Sequence, residues 1–168
     1  MGNRNIVAIE DKIKNYYWRK KEYERLNTSL DRLMRHKSEI QRDIDSSNIS
    51  FGIPMPSTDY TKDRVQNSNT TSPQEREIDK AFAKLERALA KVDNEILETK
   101  SAMRTLESGY ADMEFIIADL GEDAKNFLDW RYKYLKSNSF IAQKLHLSES
   151  GVRRLRERIM EELAKWLV

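Results

Sequence analysis

The sequence predicts an all-α protein, in which a long antiparallel coiled-coil-like helical hairpin precedes a small C-terminal helix-turn-helix domain. Two long segments carry apolar residues at alternating three- and four-residue steps, with no interior glycine or proline. A shorter C-terminal segment has similar spacing behind a serine placed to cap a helix. Charged residues form 35% of the chain and apolar residues 39%, which is typical of long exposed helices and too polar for a large globular core.

Residues 8–45 are predicted to form the first long helix. Its apolar positions mostly follow helical spacing, and they are Ile9, Ile13, Tyr16, Tyr23, Leu26, Leu30, Leu33, Ile40 and Ile44. Within this helix, residues 14–21 interleave aromatic and basic side chains. This cluster is either the solvated basic end of a coiled coil or a surface that touches nucleic acid or a protein partner.

Residues 73–107 are predicted to form the second long helix, with Pro73 at the first helical position and Ser72 as the N-cap. Its apolar stripe steps by four and three throughout, through Ile78, Phe82, Leu85, Leu89, Val92, Ile96, Thr99, Met103 and Leu106. Such a repeat predicts a coiled-coil seam. Because neither helix can bury its stripe alone, the two pair with each other, with another copy of the chain, or both.

The connector between these helices, residues 46–72, contains one glycine and two prolines. A connector of this length is unusual in a compact domain and is usually functional or disordered. Its alternating apolar residues predict either a tether over the hairpin tip or a partner-binding segment, and they are Ile49, Phe51, Ile53 and Met55. The predicted domains are therefore the hairpin at 1–109 and the helix-turn-helix domain at 110–168.

Two short helices are predicted after Gly109. The first holds the apolar residues between Met113 and Leu120 and ends at Gly121. The second covers residues 122–135, and its core candidates are Phe127, Leu128, Tyr132 and Leu135. Two tryptophans are also predicted to lie in the core rather than on DNA: Trp130 and Trp166.

A tight turn joins the last two predicted helices. Residues 139–145 form the first helix, and His146 and Leu147 form the turn. Ser148 caps the second helix, because its hydroxyl can accept a hydrogen bond from a free backbone N–H. One apolar stripe of the second helix is expected to be buried: Val152, Leu155, Ile159 and Leu163.

The face opposite that stripe carries residue types that read base edges in a DNA major groove. Arginine makes bidentate contacts to guanine, and glutamate accepts from the cytosine amino group. The residues predicted to read bases are Ser150, Arg153, Arg154 and Glu157. Phosphate contacts position such a helix without specifying sequence, and the residues predicted for them are Lys144, Ser148, Gly151, Arg156 and Arg158.

The charge distribution favours DNA binding at the C-terminal end. Residues 130–158 hold eight basic and two acidic side chains, a net charge of +6. Residues 107–129 hold seven acidic side chains and one lysine, a net charge of −6, and the overall +2 hides this separation. Basic surfaces neutralise phosphates and so gain sequence-independent affinity. The alternative is an amphipathic helix with a solvated arginine face that binds no nucleic acid.

The C-terminal segment resembles the promoter-reading helix-turn-helix at the end of bacterial sigma factors. The resemblance rests on Ile141-Ala142, Leu145, Leu147-Ser148 and Val152-Arg153-Arg154-Leu155. It implies that Ser150, Arg153 and Arg154 lie on the helix that enters the major groove. Ser150 stands where sigma factors usually have glutamate, so the resemblance does not imply the same promoter sequence.

The whole layout resembles the ArpU and RinA type of phage regulators from viruses of Gram-positive bacteria. The run from Phe127 to Tyr132 with the later Ile141-Ala142 and Leu147-Ser148 carries this resemblance, which covers about a quarter of the chain, and residues 49–56 add to it. The family has a helical, coiled-coil-like N-terminal part and a sigma-like C-terminal module. The resemblance implies activation of late genes for packaging and lysis.

The sequence therefore predicts a sequence-specific transcriptional regulator that binds double-stranded DNA. The resemblance implies a phage or prophage late-gene activator that acts with host RNA polymerase. A homo-oligomer through the long helices is expected. One alternative is a small-terminase-like packaging component, which would form a large closed oligomer. The other is a coiled-coil adaptor that binds no DNA.

Known catalytic patterns are missing from the sequence, which has no cysteine and two histidines. We therefore expect no enzyme activity, no cofactor and no metal site. No stretch approaches the ~20 apolar residues of a membrane span. We expect no membrane partner and a location in the cytoplasm of a bacterial host cell.

Overall fold

The structure, a computed structural model, describes residues 3–46 and 73–167. Within these ranges the chain forms six α-helices and one π-helical turn, without a strand. The helices are α1 (Asn3–Asp45), α2 (Pro73–Ser108), α3 (Ala111–Ala118), α4 (Glu122–Leu128), α5 (Asn138–Leu145) and α6 (Glu149–Leu167), and the π-helical turn is Asp129–Lys133. The predicted all-α class is confirmed.

The two long helices follow the sequence prediction closely. α1 begins at Asn3 rather than at residue 8, and α2 ends at Ser108 rather than at residue 107. Every residue of the two predicted apolar stripes is buried or partly buried. The predicted N-cap Ser72 and the apolar residues of the connector lie outside the described residues.

The described residues fall into two compact units. The first joins the chain up to Thr28 with the chain from Ser101 onward, and the second is Ser29–Lys100. The sequence-based division after residue 109 groups all of α1 with the hairpin. In the structure the first part of α1 belongs instead with the C-terminal helices, because its apolar residues enter their core.

The core of the first unit is built from α1, α3, α4, α5 and α6. α1 contributes Ile9, Ile13, Tyr16 and Tyr17, which are at most 9% exposed. The buried residues of the later elements surround them, and they are Tyr110, Met113, Ile117, Leu120, Ala124, Phe127, Leu128, Ile141, Ala142, Val152, Leu155, Ile159, Met160, Leu163 and Ala164. The helices that carry the candidate site therefore rest on the start of α1.

The second unit has a smaller core from α1 and α2. Ile40 packs with Val92 and Ile96, and partly buried apolar residues of both helices surround them. An ion pair of 2.7 Å between Lys37 Nζ and Asp93 Oδ1 links the two helices. The long helices thus pack against each other within one chain in this unit.

The helix predicted over residues 122–135 is present to Lys133, but it is α-helical only in its first half. The backbone widens into the π-helical turn after Leu128, and Lys136 N–H donates to Trp130 O at 2.7 Å. Leu135 adopts a left-handed backbone with φ 53°. Its predicted core position is wrong, because this conformation ends the helix and leaves the side chain 83% exposed.

The two tryptophans predicted in the core have different environments. Trp130 packs partly buried against the core, edge-on to the ring of Phe140. Trp166 is 61% exposed, so its predicted core position is wrong. Leu163 and Ala164 fill the buried positions of the last turn of α6 instead.

Over the ranges that the structure covers, no helix has the length and apolar character needed to cross a lipid bilayer.

Candidate nucleic-acid interface

A short capped turn connects α5 to α6. Ser137 begins α5, since its hydroxyl accepts from Phe140 N–H at 3.2 Å. α5 ends at Leu145, and the C-cap His146 has a left-handed backbone with φ 54° and ψ 39°. Leu147 N–H then donates to Ala142 O at 2.9 Å, which satisfies a carbonyl of the last helical turn. The connection between α5 and α6 therefore consists of His146, Leu147 and Ser148, as the sequence predicts.

Ser148 caps α6, and this prediction is confirmed. Its hydroxyl accepts from Gly151 N–H at 3.1 Å and lies 2.9 Å from the Ser150 hydroxyl. A Cβ added at Gly151 would stand 3.3 Å from Leu147 Cβ and 3.4 Å from Ser148 Oγ. Glycine at this position therefore lets the turn close tightly over the start of α6, a role separate from the predicted approach of a phosphate.

The two faces of α6 separate as the spacing predicts. Val152, Leu155, Ile159 and Leu163 are at most 7% exposed, which confirms the buried stripe. The four residues predicted to read bases lie on the exposed face: Ser150, Arg153, Arg154 and Glu157. Of the residues predicted to contact phosphates, Lys144, Ser148 and Arg158 are exposed, whereas Gly151 and Arg156 are partly buried.

The arginines of α6 fall into two groups. The side chains of Arg153, Arg154 and Arg158 make no ion pair or hydrogen bond with any other described residue. Arg156 instead donates from Nε to Glu10 Oε1 at 2.7 Å, and its terminal nitrogen lies 2.7 Å from the same oxygen. The arginine thereby ties α6 to α1.

Glu10 is the centre of a small polar network below α6. The Tyr132 hydroxyl also donates to Glu10 Oε1, at 2.6 Å, and the Glu10 side chain is 17% exposed. Burial alone would raise the pKa of Glu10, but the hydrogen bonds from Tyr132 and Arg156 outweigh it and hold this pKa below its ordinary value of 4.5. The carboxylate therefore stays charged and anchors both donors.

Two further contacts fix the C-terminal helices on α1. Tyr17 donates its hydroxyl to Asp129 Oδ1 at 2.9 Å, and burial together with this bond raises the pKa of Tyr17. Lys12 Nζ donates to Leu167 O at 2.8 Å, at the last residues of α6. Both ends of the segment from the π-helical turn to α6 are thus held by α1.

Additional positive charge lies beside α5. Lys136 Nζ and Lys144 Nζ stand 5.4 and 5.8 Å from the centroid of the Phe140 ring. Lys136 was not among the predicted site residues, although the basic run before α5 indicated it. The pairing of Arg156 with Glu10 gives no signal in the sequence, because 146 residues separate the two positions.

Comparison with family models, with curated proteins and with solved structures gave no match. In the part of the chain that the structure describes, no group of three or more histidine or acidic side chains is placed to hold a metal ion. The proposed function therefore rests on the residues of α5, the turn and α6 and on their geometry.

Proposed function

We propose that the chain is a sequence-specific DNA-binding transcriptional regulator, in which α5, the turn and α6 act as a helix-turn-helix. The observation that carries this proposal is the set of arginines on the exposed face of α6. Arg153, Arg154 and Arg158 make no ion pair with other described residues, while Arg156 on the same helix is paired. Exposed guanidinium groups of this kind suit guanine edges and phosphates.

In the proposed complex α6 enters the major groove with its exposed face toward the bases. Ser150, Arg153, Arg154 and Glu157 meet base edges, and Lys144, Ser148 and Arg158 meet phosphates. Arg156 has a different role, because its hydrogen bond to Glu10 holds α6 in position against α1. The partly buried Gly151 shapes the turn.

The long helices supply the second part of the proposed function. α1 and α2 would form the helical hairpin that contacts host RNA polymerase or a second copy of the chain. Met34 and Leu97, in the second unit, are 50% and 64% exposed and offer apolar contacts for such a partner. The resemblance to the ArpU and RinA type adds late-gene activation in a phage or prophage to this proposal.

A binding titration tests the proposal. Purified protein is titrated against fragments of its own genomic neighbourhood at two salt concentrations, with random DNA as competitor. We expect one fragment to survive the competitor, with an affinity that falls steeply as salt rises, because phosphate contacts release counterions. Absence of binding to every fragment at low salt would exclude the regulator as described.

A further inference from the structure

A groove of about 690 Å³ crosses the first unit between the beginning of α1, α3 and the π-helical turn. Three large side chains at its rim lie outside the core and are exposed to solvent. Trp18, Tyr134 and Leu135 are 60%, 53% and 83% exposed. Exposed apolar side chains gathered at one groove mark a binding surface for another macromolecule.

The groove is also basic. Five lysines line it beside three acidic residues, Glu24, Glu114 and Asp129, so the lining has a net charge of +2. Three of the lysines are paired within the unit: Lys14 with Asp11, Lys20 with Glu114, and Lys125 with Glu122. Lys21 and Lys133 make no ion pair with other described residues, and Lys133 Nζ lies 5.4 Å from the Tyr134 ring centroid. The partner should therefore bring acidic groups around an apolar side chain.

The backbone at the rim holds Leu135 in a conformation that costs energy. A left-handed backbone disfavours a residue with a Cβ, because the Cβ then lies too close to the following carbonyl oxygen, and Leu135 has φ 53°. The fold recovers none of this cost by burial, because the side chain is 83% exposed. An apolar side chain held out in this way is suited to an intermolecular contact.

The outer face of α3 has the complementary chemistry. Phe115 is 75% exposed. Asp112 and Asp119 lie within about 60° of it around the helix axis, and neither makes an ion pair with other described residues. The small exposed residues Ala111 and Ala118 flank the phenyl ring, so it protrudes. This face offers an aromatic side chain between two carboxylates.

We propose that the groove is occupied by α3 of a second copy of this chain. Phe115 of one copy packs among Trp18, Tyr134 and Leu135 of the other, and Asp112 and Asp119 pair with Lys21 and Lys133. Because the groove and the acidic face belong to the same unit, a two-fold axis makes both contacts at once and closes a dimer. Opposite charges at the rim favour this partner and set the register.

This surface differs from a seam between the long helices, because α1 contributes only one wall of the groove and the proposed occupant is the short helix α3. It also stands apart from DNA binding, because none of its residues belongs to the exposed face of α6. An experiment can therefore reject the proposed dimer contact without rejecting DNA binding by α6, and the reverse also holds.

Cysteine cross-linking locates the contact directly, because the chain has no native cysteine. Phe115→Cys in one full-length chain and Leu135→Cys in a second, affinity-tagged chain are mixed and mildly oxidised. A disulfide needs Cα atoms within about 7 Å, so we expect a mixed covalent dimer. The control pair replaces Phe115→Cys with Leu97→Cys, which is similarly exposed but lies in the second unit. Equal cross-linking in both pairs would overturn the proposal.

A mass measurement over a concentration series tests the energetic role of Phe115. Phe115→Ser should raise the dissociation constant of the dimer about thirtyfold, as truncation of a central aromatic does. Leu97→Ser should leave it unchanged, and far-UV circular dichroism checks that both variants keep their helices. A chain that stays monomeric at all concentrations, or a dimer that only Leu97→Ser dissociates, would contradict the proposal.

Discussion

Arg153 and Arg156 are three residues apart on α6, yet they have different environments. Arg153 is exposed and makes no ion pair with the residues that the structure covers, whereas the Arg156 side chain is 38% exposed and bonded to Glu10. The three-residue step turns Arg156 toward the flank that faces α1. The sequence predicts DNA contact for both residues, and the structure gives Arg156 a partner within the protein.

Arg153→Ala tests base readout. We expect a loss of about 1–3 kcal/mol on the cognate site and relaxed specificity at one base pair, because the proposed bidentate contact to guanine would be removed. Titration against the cognate and random DNA measures both effects. Lys165→Ala removes an exposed positive charge from the other end of α6 and serves as the control. An equal loss on random DNA would argue against base readout by Arg153.

Lys144→Ala tests a phosphate contact. The variant should bind all sequences more weakly, and the slope of log affinity against log salt should fall in magnitude by about 1. The specificity ratio should not change, because a phosphate contact carries no sequence information. A changed ratio with an unchanged slope would remove Lys144 from the phosphate contacts.

Glu10→Gln tests the network that holds α6. We expect the free energy of unfolding at pH 7 to fall by about 2 kcal/mol, since two hydrogen bonds to a charged acceptor are weakened. The pKa of Glu10 is lowered in the folded protein, so its stabilisation is present above pH 4.5 and is lost as the pH falls through the folded pKa. The difference between the two proteins should therefore shrink at low pH.

Chemical denaturation at several pH values measures this difference. Glu161→Gln is a matched control, because Glu161 is exposed on α6 and makes no ion pair with other residues of the described ranges. A Glu10→Gln difference that does not vary with pH would show that the charge of Glu10 is not what stabilises α6.

The positions of the helices were largely predicted from the sequence. The seam of α2 was predicted residue by residue, because a strict three- and four-residue repeat leaves one buried face. The π-helical turn, in which Trp130 and Tyr132 pack partly buried against the core, was not predicted, because the apolar spacing there fits an ordinary α-helix. The left-handed backbone of Leu135 also departs from the residue types that favour it.

Ser148→Ala tests the start of α6. The variant should lower the free energy of unfolding by about 1 kcal/mol, because Gly151 N–H loses its acceptor. Thermal unfolding measures this loss. Ser139→Ala is the control, since Ser139 is exposed within α5 and has no side-chain hydrogen bond to the described residues. Equal effects of the two changes would mean that the cap contributes nothing specific.

The two compact units do not follow the order of the chain, because the first unit joins residues from both ends of the sequence. The beginning of α1 completes the core beneath the C-terminal helices and provides Glu10, Tyr17 and Lys12 as anchors. The candidate interface is therefore built on residues from both ends of the chain.

A fragment of residues 110–168 should not fold by itself. It lacks Ile9, Ile13, Tyr16 and Tyr17, whose burial contributes roughly 8 kcal/mol at about 2 kcal/mol each, comparable with the whole stability of a small domain. Circular dichroism during heating should show no cooperative transition, whereas the full chain should show one. A cooperative transition of the fragment would support an independent C-terminal domain.

The sequence by itself determined the all-α class, the positions of the long helices, the cap at Ser148 and the exposed face of α6. These features depend on local propensity and on helical periodicity, which neighbouring residues specify. Only the tertiary structure decided the pairing of Arg156 with Glu10, the exposure of Leu135 and Trp166, and the membership of the first part of α1 in the C-terminal core. These features depend on contacts between residues far apart in the chain, which no local pattern encodes.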